Sequence, residues 1–218
     1  MRIIYFRRKV ASSASKVLTF QNSYTDTTNQ TTYTYSSCSI GTAASDRRVH
    51  VGGWSSNNTR TVSSVTIGGV SATINIQSGG VGNGTSFIAT ANVPTGTTAD
   101  VVVTWSGAQI RSAIGVWSST GLTSDAAIDT DSSTADPATV TLTTVSGGFV
   151  IAVKHNQGDV ATFTWSGTGV TERFELTNIE ATNSQFGGAD ADTTTTSLEI
   201  TCDPTVNSSQ RAMVAASF

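Results

Sequence analysis

The chain has 218 residues, a formal net charge of -3, 12% charged residues, twenty glycines, three prolines and two cysteines. Thr and Ser supply about thirty per cent of it, against five Leu, four Glu and three Lys. This excludes an α-rich fold, because the good helix formers are scarce while Thr, Val and Ile suit pleated, half-buried strands. No apolar run approaches the roughly 20 residues of a membrane-crossing helix, and the length allows one large β domain or two small ones.

The first twenty residues contain Arg2, Arg7, Arg8, Lys9 and Lys16 and no acid, so they carry +5 and the remainder carries -8. Ile3, Ile4, Tyr5 and Phe6 interrupt these charges. That mixture reads as a strand that docks on a protein partner, or as a surface strand with solvated flanks, rather than as a nucleic-acid-binding tail. The partner-docking candidates here are Arg2, Ile3, Ile4, Tyr5, Phe6, Arg7 and Arg8. The apolar stretch is closed by Arg7-Arg8-Lys9, well short of the about 7–15 residues of a secretion signal. Synthesis in a cytoplasm is therefore expected, with residues 1–30 as arm and lead-in.

Residues 31–120 read as the first β unit. Strands are predicted at 32–37 and 47–51, then a hairpin in which Gly68-Gly69 joins Val65-Thr66-Ile67 to Val70-Ser71-Ala72, the two glycines supplying the positive φ of a two-residue turn. Ile74 and Ile76 alternate with Thr73 and Asn75, and Val101, Val103 and Trp105 alternate with Val102 and Thr104. Pro94-Thr95-Gly96 and Ser106-Gly107 are turns. The run from Arg111 to Trp117 shows no polar face. Residues 121–137 are polar and acidic, a linker or a long loop. Residues 138–218 form the second unit, with Val140 and Leu142 alternating with Thr139, Thr141 and Thr143, then strands at 149–153, 163–165, 198–202 and 211–216. No segment has a convincing 3.6-residue apolar period.

The two units look like a duplication at a spacing of about one hundred residues. Residues 47–51 match 149–153, the hairpin 65–76 matches 163–174, Val101, Val103 and Trp105 match Leu198, Ile200 and Cys202, and 111–116 match 211–216. The expected fold is all-β: an antiparallel two-sheet sandwich, jelly-roll-like or tandem Ig-like, with this internal repeat. The closing strands must be central or covered, and a covering subunit would contact Met213 and Trp117.

Chemistry is sparse. His50 and His155 sit at non-equivalent positions with no nucleophile arrangement around them. Gly79-Gly80-Val81-Gly82-Asn83-Gly84 leads into a strand, not a helix, and so reads as a hairpin loop rather than a phosphate loop. Asp125, Asp129, Asp131 and Asp136 share one loop, where calcium is the cofactor to consider, although the EF-hand glycine and terminal Glu are missing. Glu172, Glu175, Glu180 and Glu199 are the carboxylates available for glycoside chemistry, without a cleft to put them in. Trp54 and Trp117, near strand ends, are the candidates for stacking on a ligand such as a surface glycan; Trp105 and Trp165 lie on apolar faces. Cys38 and Cys202 are too few for a disulfide framework, and Cys202 continues an apolar face as a buried thiol.

The strand–Gly–strand units at 61–77 and 162–177, the Val-Pro-Thr-Gly-Thr turn at 93–97 and the short strand ending at Phe218 together resemble the Thr/Ser/Gly-rich β-sandwich virion proteins of tailed bacteriophages. The likeness spans most of residues 31–218 and is one of composition and architecture, so no functional residue is carried over. It implies a non-enzymatic virion component without a cofactor: a capsid decoration protein, head fibre or tail appendage. The implied partners are other virion proteins and further copies of the chain, with a tail or head appendage that binds a host-surface carbohydrate or receptor as the alternative.

Overall fold

The computed structural model describes residues 16–56, 60–79, 84–158, 162–179, 183–206, 208 and 210–218. Among these residues there are seventeen strands and no α-helix. The first nine are β1 (Val17–Asp26), β2 (Gln30–Ser39), β3 (Arg48–Ser55), β4 (Val62–Ile67), β5 (Val70–Ser71), β6 (Thr73–Gly79), β7 (Thr85–Asn92), β8 (Thr98–Gln109) and β9 (Ser112–Thr120). The second set is β10 (Asp129–Ser133), β11 (Ala138–Thr143), β12 (Gly148–Gln157), β13 (Phe163–Ser166), β14 (Thr171–Leu176), β15 (Ser184–Thr193), β16 (Ser197–Pro204) and β17 (Gln210–Ser217).

Pairing in the first half is nested. β1 pairs with β9, β2 with β8, β3 with β7 and β4 with β5, all antiparallel. Winding these nested pairs into two sheets gives a jelly roll: an outer sheet ordered β2-β8-β4-β5 and an inner sheet ordered β1-β9-β3-β7-β6. The second half repeats the plan, with an inner sheet β10-β17-β12-β15-β14 and an outer sheet β11-β16-β13. The duplication is therefore present strand for strand, with β5 as the extra element. Two segments differ from expectation: 17–26, taken as lead-in, is β1, and 129–133, inside the expected linker, is β10.

The four sheets stack in the order outer, inner, inner, outer, with a core in each gap. Tyr33, Val65, Val103 and Trp105 meet Val49, Val51 and Phe87 in the first gap. Trp54, Ile88 and Trp117 meet Phe149, Ile151, Phe186 and Val214 in the middle gap. Val150, Ala152 and Met213 meet Val140, Leu142, Leu198 and Ile200 in the last. This layering explains the sequence pattern. Outer β11 alternates buried and exposed along its length, because one face is wet. Inner β9 and β12 are buried at nearly every position, because each face meets a core.

Residue-level matching of the repeat is off by one in the inner strands. Val49 and Val51 point into the first core, whereas Ile151 and Val153 point into the middle one. Likewise Ala113 faces the middle core and Met213 the last. A one-residue slip reverses facing, so the equivalences 47–51 with 149–153 and 111–116 with 211–216 hold for strands and fail for side chains. In the outer sheets, Val101, Val103 and Trp105 and their matches Leu198, Ile200 and Cys202 do face equivalent cores.

Stacking four layers demands small residues where aromatic rings cross a sheet face. A Cβ added at Gly188 would lie 2.5 Å from Cε1 of Phe174 and 3.0 Å from Cη2 of Trp117. Gly188→Ala is accordingly expected to destabilise the chain by about 1–3 kcal/mol through overpacking. An unchanged denaturant midpoint would show that Phe174 does not occupy that space.

Candidate functional site

The chemistry-bearing side chains converge on the middle gap, where the two halves meet. His50 projects there from β3 and is fully buried. Its Nδ1 lies 2.9 Å from Thr90 Oγ1 and its Nε2 2.8 Å from Ser119 Oγ. Asn75 Nδ2 donates to the same Thr90 oxygen at 3.0 Å. The Thr90 hydroxyl can then donate to Nδ1, leaving the Nε2 proton for Ser119. The ring meets Phe149 and Phe218 of the other half edge-on, at 5.4 and 4.6 Å. Burial first, and the charge of Arg48 second, push the imidazole down to about 3.

His155 enters the same gap from β12 and is also fully buried. Nδ1 is 2.8 Å from Ser86 Oγ, across the interface on β7, and the ring lies on Trp54 at 5.8 Å. Burial, with a smaller contribution from Lys154, pushes it too down to about 3. Among the described residues, its Nε2 and the Trp54 Nε1 have no hydrogen-bond partner. Both nitrogens point toward the space above Gly84, 2.6 and 2.7 Å from where a Cβ would sit. Ser86 and His155 thus touch as a nucleophile and base would, but as members of a closed interface.

Trp54 and Trp117 are fully buried, which removes them as a stacking platform for a ligand and Trp117 as a docking residue. Trp54 is sandwiched by His155 and by Phe186 at 6.3 Å. Trp117 packs on Phe20 and Phe174 and donates from Nε1 to Asp190 Oδ2 at 2.8 Å. Arg173 holds the same carboxylate with two 2.8 Å bonds. Met213, expected at a subunit contact, is buried in the last core. The closing strands β9 and β17 are covered within the chain, on one face by the other half and on the other by the outer sheet of their own half. The remaining docking candidates, Arg2, Ile3, Ile4, Tyr5, Phe6, Arg7 and Arg8, lie outside the described residues.

The acidic loop has a structural use. Asp129 Oδ2 accepts the Thr143 amide at 2.7 Å and Asp131 Oδ2 accepts that of Thr141 at 2.9 Å. Two carboxylates from the edge of one sheet thereby occupy the free amides along the edge of β11. The bond from Thr143 holds the Asp129 carboxyl below its ordinary range. Asp125 pairs with Arg48 at 3.0 Å, and one oxygen of Asp136 is buried without a partner among the described residues. Among the described residues no group of three or more His, Cys, Asp or Glu is placed to hold a metal ion. Glu175 accepts the Phe163 amide at 3.1 Å, and partial burial raises both it and Glu172. Glu199 is exposed, and Glu180 is outside the described residues.

Three buried groups escaped sequence reading. The Arg47 guanidinium donates to the carbonyls of Val93, Gly41, Gly96 and Thr95, so it fastens the 93–96 turn. Its position before a strand and beside Arg48 offered no signal. Lys154 is fully buried between the inner and outer sheets of the second half, and among the described residues its Nζ has no partner. Gln185, also buried, leaves both amide atoms without a partner among the described residues. Cys38 and Cys202 are free and buried; burial pushes the Cys38 thiol up to about 11 and raises Cys202 as well.

Charge is divided between the halves. Residues 17–120 hold four basic and three acidic side chains, a net of +1, whereas 121–218 hold three basic and twelve acidic, a net of -9. Compared with known proteins, the chain matches no protein family, no curated protein and no solved structure.

Proposed function

We propose that the chain is a non-enzymatic structural component of a tailed-phage particle, a capsid-decorating or stabilising protein held in place by its basic N-terminal arm. The division of charge carries this reading: +5 in the first twenty residues, -9 in the second half and a first half near neutrality. The first described strand after the arm, β1, is an edge strand of its sheet. An acidic second half on a neighbouring copy, or an acidic virion protein, is the complementary surface, and the contact is screened by salt.

The test is a chain lacking residues 1–15. Removing 1–20 would also take Phe20, which packs on Trp117 and Phe174, and would confuse docking with folding. The shortened chain is expected to keep its circular dichroism and melting temperature. Sedimentation of both forms, alone and with purified particles, should show association only for the full chain at about 50 mM salt, weakened at about 500 mM. Equal association of the shortened form would remove the arm, and with it this reading.

A further inference from the structure

The middle gap differs from the other two in containing both histidines of the chain, one from each half. Among the described residues their polar contacts are hydroxyls only: Thr90 and Ser119 for His50, Ser86 for His155. The other titratable or charged groups turned toward this gap are already engaged. From β15, Asp190 is held by Trp117 and by Arg173 of β14. From β3, Arg48 is held by Asp125. Arg111, just before β9, donates to Ser184. The main-chain oxygen of Phe218, whose ring covers His50, accepts the amide of Phe149. The charged residues that act on the imidazoles are cations, Arg48 on His50 and Lys154, from the opposite face of β12, on His155. A proton arriving at either ring meets aromatic walls and, among the described residues, no acid free to pair with it.

We propose that the interface between the two inner sheets is an acid-operated latch: protonation of His50 and His155 parts the two halves while the jelly roll of each half stays packed. The two other cores contain no histidine, so acid acts selectively on the middle one. The sign follows from linkage. In the closed form both imidazoles are held down at about 3, and in an open form, in water, they return to about 6.5. Between those values the open form binds more protons, so closure is complete above about pH 6.5 and weakens as pH falls toward 3. At pH 4.5 the closed-to-open ratio drops about a hundredfold per histidine and about ten-thousandfold for both.

The experiment is hydroxyl-radical footprinting of the full chain at pH 7.5 and 4.5, read by mass spectrometry, with far-ultraviolet circular dichroism on the same samples. At pH 4.5 oxidation should appear at Trp54, Trp117, Phe149 and Phe186, while Trp105 and Tyr33 in the first core and Met213 and Phe163 in the last remain protected and the β signal persists. The double variant His50→Gln, His155→Gln, which keeps hydrogen-bonding groups but cannot charge, should stay closed at pH 4.5. If that variant does not fold, the wild-type pattern decides alone. An interface still protected at pH 4.5 overturns the proposal, as does simultaneous labelling of all three cores or a folded double variant that opens like the parent.

Discussion

Lys154→Met is expected to stabilise the chain at pH 7 by about 1–4 kcal/mol. The Lys154 amino group is fully buried, and among the described residues no carboxylate lies within hydrogen-bonding reach of its Nζ. Burial lowers its pKa, and Cys202, Asp136 and Asp203 counter this only in part. An unpaired buried charge costs more than distant charges return, whereas a Met side chain of similar length fills the same channel beside Met213. The pH dependence provides a second check. The unfolded lysine titrates near 10.4, so below that value the unfolded chain binds more protons than the folded one, and stability rises with pH through the interval. The variant should lack that alkaline rise. Thermal melts of both chains at pH 7 and 9.5 measure the two effects together; a variant less stable than its parent would mean that the ammonium has a partner.

Trp117→Ala should cost about 3–5 kcal/mol, as much as Trp105→Ala in the first core, because both side chains are enclosed. The loss at position 117 has two parts: the cavity beside Phe20 and Phe174, and the donor that Asp190 loses across the interface. The comparison tests the four-layer arrangement itself. Were the two jelly rolls merely tethered, Trp117 would face water and its removal would be nearly neutral. Denaturant midpoints for the two variants, with the slope as a check on two-state behaviour, separate these cases.

The outer sheets were legible in the sequence because water marks one of their faces. Thr139, Thr141 and Thr143 against Val140 and Leu142 predicted β11 with its facing, and Val101, Val103 and Trp105 did the same for β8. The inner sheets were legible only as strands. Each of their residues meets a core, so alternation disappears and with it the register that alternation would fix. For that reason Met213 and Trp117 read as residues awaiting a neighbouring subunit, when the neighbour of Trp117 is the other half of the chain and that of Met213 is the outer sheet of its own half. Trp54 was misplaced for a related reason: a strand end suggests exposure, but the strand end here is roofed by His155 and Phe186. Aspartates at 129 and 131 suggested a cation because nothing local reveals that they face the amides of another sheet edge.

The nested pairing has a consequence for the order in which the protein can be made. Because β1 pairs with β9, the first inner sheet cannot close until residue 120 has left the ribosome. Such sequence-distant partners also make closure intrinsically slow. Once closed, the first half displays its finished inner face, with Trp54, Ile88 and Trp117, to an empty side. The covering sheet ends at β17, so about one hundred further residues must be synthesised first, a delay of roughly 5–20 seconds at cellular elongation rates. Throughout that interval the nascent half is a sticky intermediate whose best match is the inner face of another nascent chain. Two chains on one messenger could exchange second halves, which makes slow elongation through residues 121–218 the condition under which domain-swapped dimers should accumulate.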